Sequence, residues 1–267
     1  MREFQYVKAK SLSDAAEFIA GHADAKLLAG GMTLIPTLKQ RLAAPSHLID
    51  IGGLPDLHGI TLKGGQLEIG AAVKHHEVAS SPAIRKALPA LAYLAEHIGD
   101  PQVRNRGTLG GSLANNDPAA DYPAAVLALE ATIITTKRKI AAGDFFQGLF
   151  ATALEPAEII TRVLCALPKR AAYEKFPHPA SGYAMAGVFI ADTANGVRVA
   201  VTGAGPGVFR WSDAEAALAQ NMSADAVDKL HIDAEGLNED IHATRAYRAN
   251  LVKVMTKRAV QKLLAQG

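Results

Sequence analysis

The stretch NRGTLGGSLANNDPAAD, residues 105–121, decides how this chain is read. It sets the adjacent glycines Gly110 and Gly111 between the hydroxyl residues Thr108 and Ser112, then runs through Asn and Asp to Asp121. Glycine adopts positive φ and lets a ligand come close to the backbone. Successive N–H groups in such a segment converge on an anion. A second pair lies in LLAGGMTLIP, residues 27–36, where Gly30 and Gly31 follow a short apolar run and precede Thr33. A pyrophosphate fits between two such nests, each charge-assisted N–H bond contributing roughly 1.5–3 kcal/mol. Thr33, Thr108 and Ser112 add hydroxyl donors, and Asn115 and Asp121 can pair with ribose or ring edges. One Gly-Gly pair is usually no more than a turn. Two of them, one in a polar loop that opens a helix, leave a structural and an anion-binding reading both open.

Outward from these motifs, residues 4–8 alternate as a strand, and Ser13 is expected to cap a helix over 15–20. Residues 26–29 read as a strand, Pro36 shortens or delays a helix over 34–42, and 48–51 reads as a strand. Gly64-Gly65 turns a hairpin between 60–62 and 67–69, and 89–98 has helical spacing. Residues 99–117 are expected as a long irregular loop, which in a compact domain is usually functional. A helix over 118–130 and a strand over 131–136 follow, and 144–148 and 158–164 close the first region. Three prolines within 168–181 mark a domain junction. Beyond it come strands over 183–191 and 197–202 joined at Asn195-Gly196, then helices over 213–220, 224–230 and 244–264.

The chain has 267 residues, 49% of them hydrophobic, enough for one large domain or two medium ones. A net charge of +2, with no basic cluster carrying interleaved aromatics, sets nucleic acid aside. The N-terminus lacks the apolar core of a secretory signal and no run of 18 apolar residues occurs, so a cytoplasmic protein is the simple reading. The single cysteine, Cys165, rules out an internal disulfide and a four-cysteine cluster built from this chain alone; in VLCALP it reads as a small buried hydrophobe. GAGPGV, residues 203–208, imitates a dinucleotide fingerprint but carries Val208 at the third glycine position, and reads as a turn. His75-His76-Glu77 lacks a third ligand at metal spacing and reads as a solvated pair. Lys169-Arg170 reads as a solvated junction, and Phe209 and Trp211 as core or subunit contact.

AGGMTL (residues 29–34) and TLGGSLANNDPAAD (residues 108–121) resemble the two flavin-binding motifs of the FAD-binding medium subunits of molybdenum hydroxylases, the carbon monoxide dehydrogenase and xanthine dehydrogenase flavoprotein family. The resemblance spans nearly the whole chain, including the opening FQYVKAKSLSDAAE and the C-terminal region. It implies that Leu28, Ala29, Gly30, Gly31, Met32, Thr33 and Leu34 wrap the FAD pyrophosphate from one side, and that Thr108, Leu109, Gly110, Gly111 and Ser112 approach from the other. It places Asn115 and Asp121 near flavin, ribityl or adenosine groups, Ile98 by the isoalloxazine, Ile160 by the adenine, Lys175 at the polar edge of the flavin and Tyr183 against its ring. Met32 stands where relatives vary, and Gly182 where an acidic residue is common.

The resemblance implies an α+β fold: a two-part FAD-binding domain of the PCMH (vanillyl-alcohol-oxidase-like) type over 1–170, split near 55, then a small antiparallel sheet with helices over 171–267. It also implies a large partner subunit with a molybdenum–pterin cofactor and a small partner with [2Fe–2S] clusters, assembled as a dimer of heterotrimers, with no catalytic side chain in this chain. It leaves room for membrane association of that assembly. Two rival readings remain. A self-contained flavin oxidoreductase needs an acid or base at the flavin face, and no such pair stands out. A scaffold with a vestigial site is disfavoured by two intact glycine motifs.

Overall fold

The computed structural model describes residues 1–266. Its first part runs β1 (Gln5–Lys8), α1 (Leu12–Gly21), β2 (Lys26–Leu28), α2 (Leu34–Lys39) and β3 (His47–Asp50). The strands pair parallel in the order β1-β3-β2, so the loop after β2 emerges at a sheet edge. The cap of α1 is Ser11, not Ser13. Ser11 Oγ accepts the Asp14 N–H while the Asp14 carboxylate accepts the Lys10 N–H, a reciprocal arrangement of the capping-box type. Ser13 donates instead to Glu17 along the helix. Pro36 falls in the first turn of α2, where no intrahelical donor is needed.

The second part opens with the hairpin β4 (Ile60–Lys63) and β5 (Gln66–Gly70), whose Gly64 and Gly65 both have positive φ. Then come α3 (His75–Ser80), α4 (Pro82–Ala87), α5 (Pro89–Glu96), α6 (Pro101–Arg104), α7 (Leu109–Asn115) and α8 (Tyr122–Ala128). The part closes with β6 (Thr132–Thr135), β7 (Lys139–Ala141), α9 (Ala142–Phe145), the hairpin strands β8 (Phe146–Gly148) and β9 (Ala151–Thr152), and β10 (Ile160–Ala166). An antiparallel sheet of order β4-β5-β10-β6-β7 results, with Cys165 buried in β10. The irregular loop expected over 99–117 is a correction: it contains α6 and α7, capped by the Asp100 and Thr108 side chains. Gly110 and Gly111 lie in the first turn of α7, and a Cβ on Gly110 would sit 2.6 Å from Ala71 Cβ. Close packing outweighs the low helix propensity of glycine there.

The third part is β11 (Arg170–Pro177), β12 (Ala184–Thr193), β13 (Gly196–Thr202), β14 (Phe209–Arg210), α10 (Ser212–Gln220) and α11 (Arg245–Leu264). The strands pair antiparallel in chain order. Most of the proline-bearing stretch expected as a junction is strand β11, with Pro177 beyond a bulge at its end. The helix expected over 224–230 shrinks to a 3₁₀ turn at Ala224–Val227.

Eight consecutive residues of β12 are buried because helices cover both faces of the sheet. Val188 and Ile190 enter one core with Trp211, Leu251 and Met255; Phe189 and Ala191 enter the other with Tyr122 and Val126. Each large apolar side chain so buried contributes about 1.5–3 kcal/mol. This sheet is therefore a wall shared by two cores.

The segment leading into α8 is pinned to its neighbours. Thr202 Oγ1 donates to Ala120 O at 2.6 Å and Gly203 N donates to Pro118 O at 2.8 Å. Asn116, left-handed at φ 44°, donates from Nδ2 to Gly148 O at 2.8 Å and Ala151 O at 2.7 Å. Asn116→Ala removes both bonds and places a less tolerant residue at positive φ. We expect a loss of about 2–4 kcal/mol in urea unfolding; wild-type stability would show that the β8–β9 hairpin needs no such anchor.

Candidate functional site

The three parts meet at a cleft of about 680 Å³, within the usual range of small-molecule sites. The β2–α2 loop forms one wall and residues of α7 the other. Ala71, Ala72, His75, Ile98, Gly99, Val103, Leu154, Glu158, Ile159, Ile160 and Tyr183 complete its lining.

The walls meet backbone to backbone. A Cβ on Gly30 would lie 2.1 Å from Arg106 O and 2.8 Å from Gly107 Cα, so only glycine fits. Gly31 turns the chain at φ +74°. The amides of Gly30, Gly31, Met32 and Thr33 donate to no acceptor among the described residues, whereas the Gly31 and Thr33 carbonyls accept from Ile35 and Thr37. Adjacent, unengaged N–H groups ahead of a helix form an anion nest.

The second motif differs from the nest expected of it. Leu109 N donates to Val73 O, Gly110 N to Ala71 O, Gly111 N to Thr108 Oγ1 and Ser112 N to Thr108 O. Those amides hold α7 in place. What this wall offers a ligand is close approach at Gly110 and Gly111, with the Ser112 hydroxyl and the Asn115 amide unengaged by protein. Free donors on the first loop, a hydroxyl and an amide on α7, and apolar lining at Ile98 and Ile160 suit a dinucleotide such as FAD.

Leu28, Ala29, Met32, Leu34, Ile98, Thr108, Asp121, Ile160 and Tyr183 all line the cleft along with these groups. Two expected residues do not. Leu109 is turned into the core at 2% exposure. Lys175 sits behind the cleft, its Nζ donating to His97 O at 2.7 Å, Gly182 O at 2.9 Å and the Asp121 carboxylate at 2.9 Å. All three ammonium protons are used, so Lys175 presents no free cation; it fixes Asp121 and the loop that carries Tyr183. The Tyr173 hydroxyl also donates to Asp121. Burial pushes the Asp121 carboxyl up, and the Lys175 ammonium and Tyr173 pull it back. Gly182 stands at φ +72°, where an acidic side chain would be strained.

Sequence reading missed Arg104 and His75. Arg104 Nη1 donates to Ile98 O at 3.1 Å and Gly99 O at 2.8 Å, shaping one end of the cleft. His75 is a buried residue of the cleft wall, not half of a solvated pair. The signal was there: His75, Val78 and Ala79 share one helix face, and that face is buried. No cluster of metal-ligating side chains occurs among the described residues.

Two outcomes are expected. Gly30→Ala forces the walls apart and should weaken FAD binding about 10-fold or more, a change of about 1.4 kcal/mol or more, measured by flavin fluorescence. Gly143→Ala, which meets open space, should bind as wild type. The second concerns pH. Burial, then Arg104, pushes the His75 imidazole down from 6.5 to about 4. Between those values the unfolded chain takes up a proton that the folded chain refuses, so stability falls as pH drops through that window. The slope from this group is roughly 1.4 kcal/mol per pH unit. His75→Gln should remove that component from stability measured against pH; an unchanged slope would assign the acid sensitivity elsewhere.

Comparison with known proteins agrees with this geometry. Residues 2–169 match the family described as the FAD-binding domain in molybdopterin dehydrogenase, and residues 171–263 match the CO dehydrogenase flavoprotein C-terminal domain. The chain is 36% identical to the nicotine 6-hydroxylase medium subunit of Paenarthrobacter nicotinovorans, covering 96% of this chain and 95% of that one. It is 35% identical to the carbon monoxide dehydrogenase medium chain of Hydrogenophaga pseudoflava, covering 94% of each. Among solved structures, carbon monoxide dehydrogenase from Hydrogenophaga pseudoflava superposes with a TM-score of 0.90 at 34% identity, covering 99% of this chain and 98% of that one. Quinoline 2-oxidoreductase from Pseudomonas putida 86 gives 0.90 at 29% identity, with the same coverage of 99% and 98%. The chain belongs to the FAD-binding medium subunits of the molybdenum-containing dehydrogenases.

Proposed function

We propose that this chain is the electron-transfer subunit of a multi-subunit molybdenum hydroxylase, taking electrons from [2Fe–2S] clusters on a small iron–sulfur subunit and passing them to an external acceptor. The organic substrate is oxidised at a molybdenum–pterin site on a large subunit, in a cytoplasmic dimer of heterotrimers. The observation that carries this reading is the run of unengaged amides at Gly30–Thr33 facing Ser112 and Asn115 across a cleft of dinucleotide size. FAD bound there supplies redox chemistry that the side chains lack.

The protein's share is binding and electrostatics. The amides of residues 30–33 would donate to the pyrophosphate, and Thr33, Ser112 and Asn115 would hold the sugar and ribityl groups. Ile98 and Tyr183 would pack against the flavin and Ile160 against the adenine. Asp121 is held by Lys175 and Tyr173 at the cleft and is a rigid acceptor toward the cofactor. The relatives are named for substrates as different as nicotine and carbon monoxide; on this reading substrate choice belongs to another subunit. Among the described residues no helix is long and apolar enough to cross a membrane.

The test is to purify the chain alone and with its co-expressed partner subunits. We expect stoichiometric FAD in both preparations, iron and molybdenum only in the second, and substrate-dependent flavin bleaching only in the second. Steady turnover of an organic substrate by the chain alone would overturn the relay in favour of a self-contained oxidoreductase.

A further inference from the structure

His75 and Tyr122 share a polar feature that the cleft chemistry above does not use. His75 is 5% exposed and Tyr122 is fully buried, with ring centroids 5.3 Å apart and planes tilted by 53°. His75 Nδ1 and Tyr122 Oη are both sealed from solvent, and neither meets a protein partner. Burying two unpaired polar atoms on neighbouring rings would remove a sizeable share of a domain's small net stability. Phenylalanine and leucine would fill the same space without that penalty. One water molecule within reach of both would relieve them together, since it can donate to an imidazole nitrogen while accepting from a phenol.

That arrangement assigns the histidine proton to Nε2, the ring atom that abuts Gly107: a Cβ on Gly107 would lie 2.5 Å from it. The backbone N–H of His75 also donates to Gly107 O at 3.0 Å. The same backbone segment meets Gly30, which lies within contact of Arg106 O and Gly107 Cα. The imidazole is thus the backstop against which the unengaged amides of the first glycine motif are set.

We propose that His75 Nδ1 and Tyr122 Oη hold one buried water between them, and that the histidine so locked is a positioning residue for the dinucleotide, acting through the backbone of Arg106 and Gly107. The positioning role rests on the reading that the cleft binds FAD; the water site does not.

The sign of a conservative substitution separates the alternatives. With the water in place, Tyr122→Phe removes one of its partners, and the thermal midpoint of the full chain should fall by roughly 2–4 °C. The FAD dissociation constant, followed by flavin fluorescence, should rise several-fold. His75→Asn keeps a polar atom near the Nδ1 position and should retain more stability than His75→Leu, and a high-resolution crystal structure should show density for a water between the two side chains. A Tyr122→Phe chain as stable as wild type or more stable would mean that the hydroxyl is merely unpaired, and the water site would be overturned. A destabilised Tyr122→Phe chain with an unchanged FAD constant would overturn the positioning role. A wild-type chain that binds no FAD, yet is destabilised by Tyr122→Phe, would refute the cofactor reading while supporting the water site.

Discussion

The backbone of Gly30 rests on the backbone of Arg106 and Gly107, and the shape of the cleft depends on that contact. Three layers stack there without an intervening side chain: the first glycine loop, the 106–107 segment, and the His75 ring. Each interface is closed by a missing Cβ. The loop is therefore held at a fixed height above α7, and its free amides point across a gap whose width is set by van der Waals contact and not by flexible side chains.

The two glycine motifs are alike in sequence and unlike in role. In the first, amides are left open and carbonyls are engaged by the helix that follows. In the second, every amide from Leu109 to Ser112 is engaged in seating α7 against Val73, Ala71 and its own Thr108 cap. One motif offers donors; the other offers a flat, immobile surface that a ligand can approach. A similar division recurs at the flavin end. Lys175 sits behind Asp121 and Gly182, so its charge shapes the loop that carries Tyr183 and is compensated where it stands.

Much of this was legible in the sequence. Period-2 stretches, the Gly64-Gly65 and Asn195-Gly196 turns, and the unbroken apolar run of β12 gave the strands, because each is a local pattern. The misses were of two kinds, local caps and helix faces left unread and contacts between residues distant in sequence. Ser11 and Ser13 are equivalent as isolated caps, and Asp14 favours Ser11 because its carboxylate accepts the Lys10 N–H while its own N–H donates to Ser11 Oγ. Polar composition made 99–117 read as loop, yet Asp100 and Thr108 caps together with packing on Ala71 produce two short helices. Lys175 was expected to face the flavin, since nothing in its neighbourhood along the chain reveals that Asp121 and His97 O surround it. His75 was hidden by its exposed neighbour, although Val78 and Ala79 marked its helix face as buried.

The shared wall formed by β12 and β13 bears on the order in which the protein matures on the ribosome. Pro118 and Ala120 are fastened to Thr202 and Gly203, and Asp121 to Tyr173 and Lys175. Every one of those partners follows both glycine motifs in the sequence. A nascent chain that has emerged only as far as β10 carries both glycine motifs and the groups that seat α7, but lacks the strands that hold Pro118, Ala120 and Asp121. Domains usually fold as units while synthesis proceeds; here Asp121 of the cofactor cleft is secured by strand β11, translated after both glycine motifs, so the cleft and the sheet that follows it mature together.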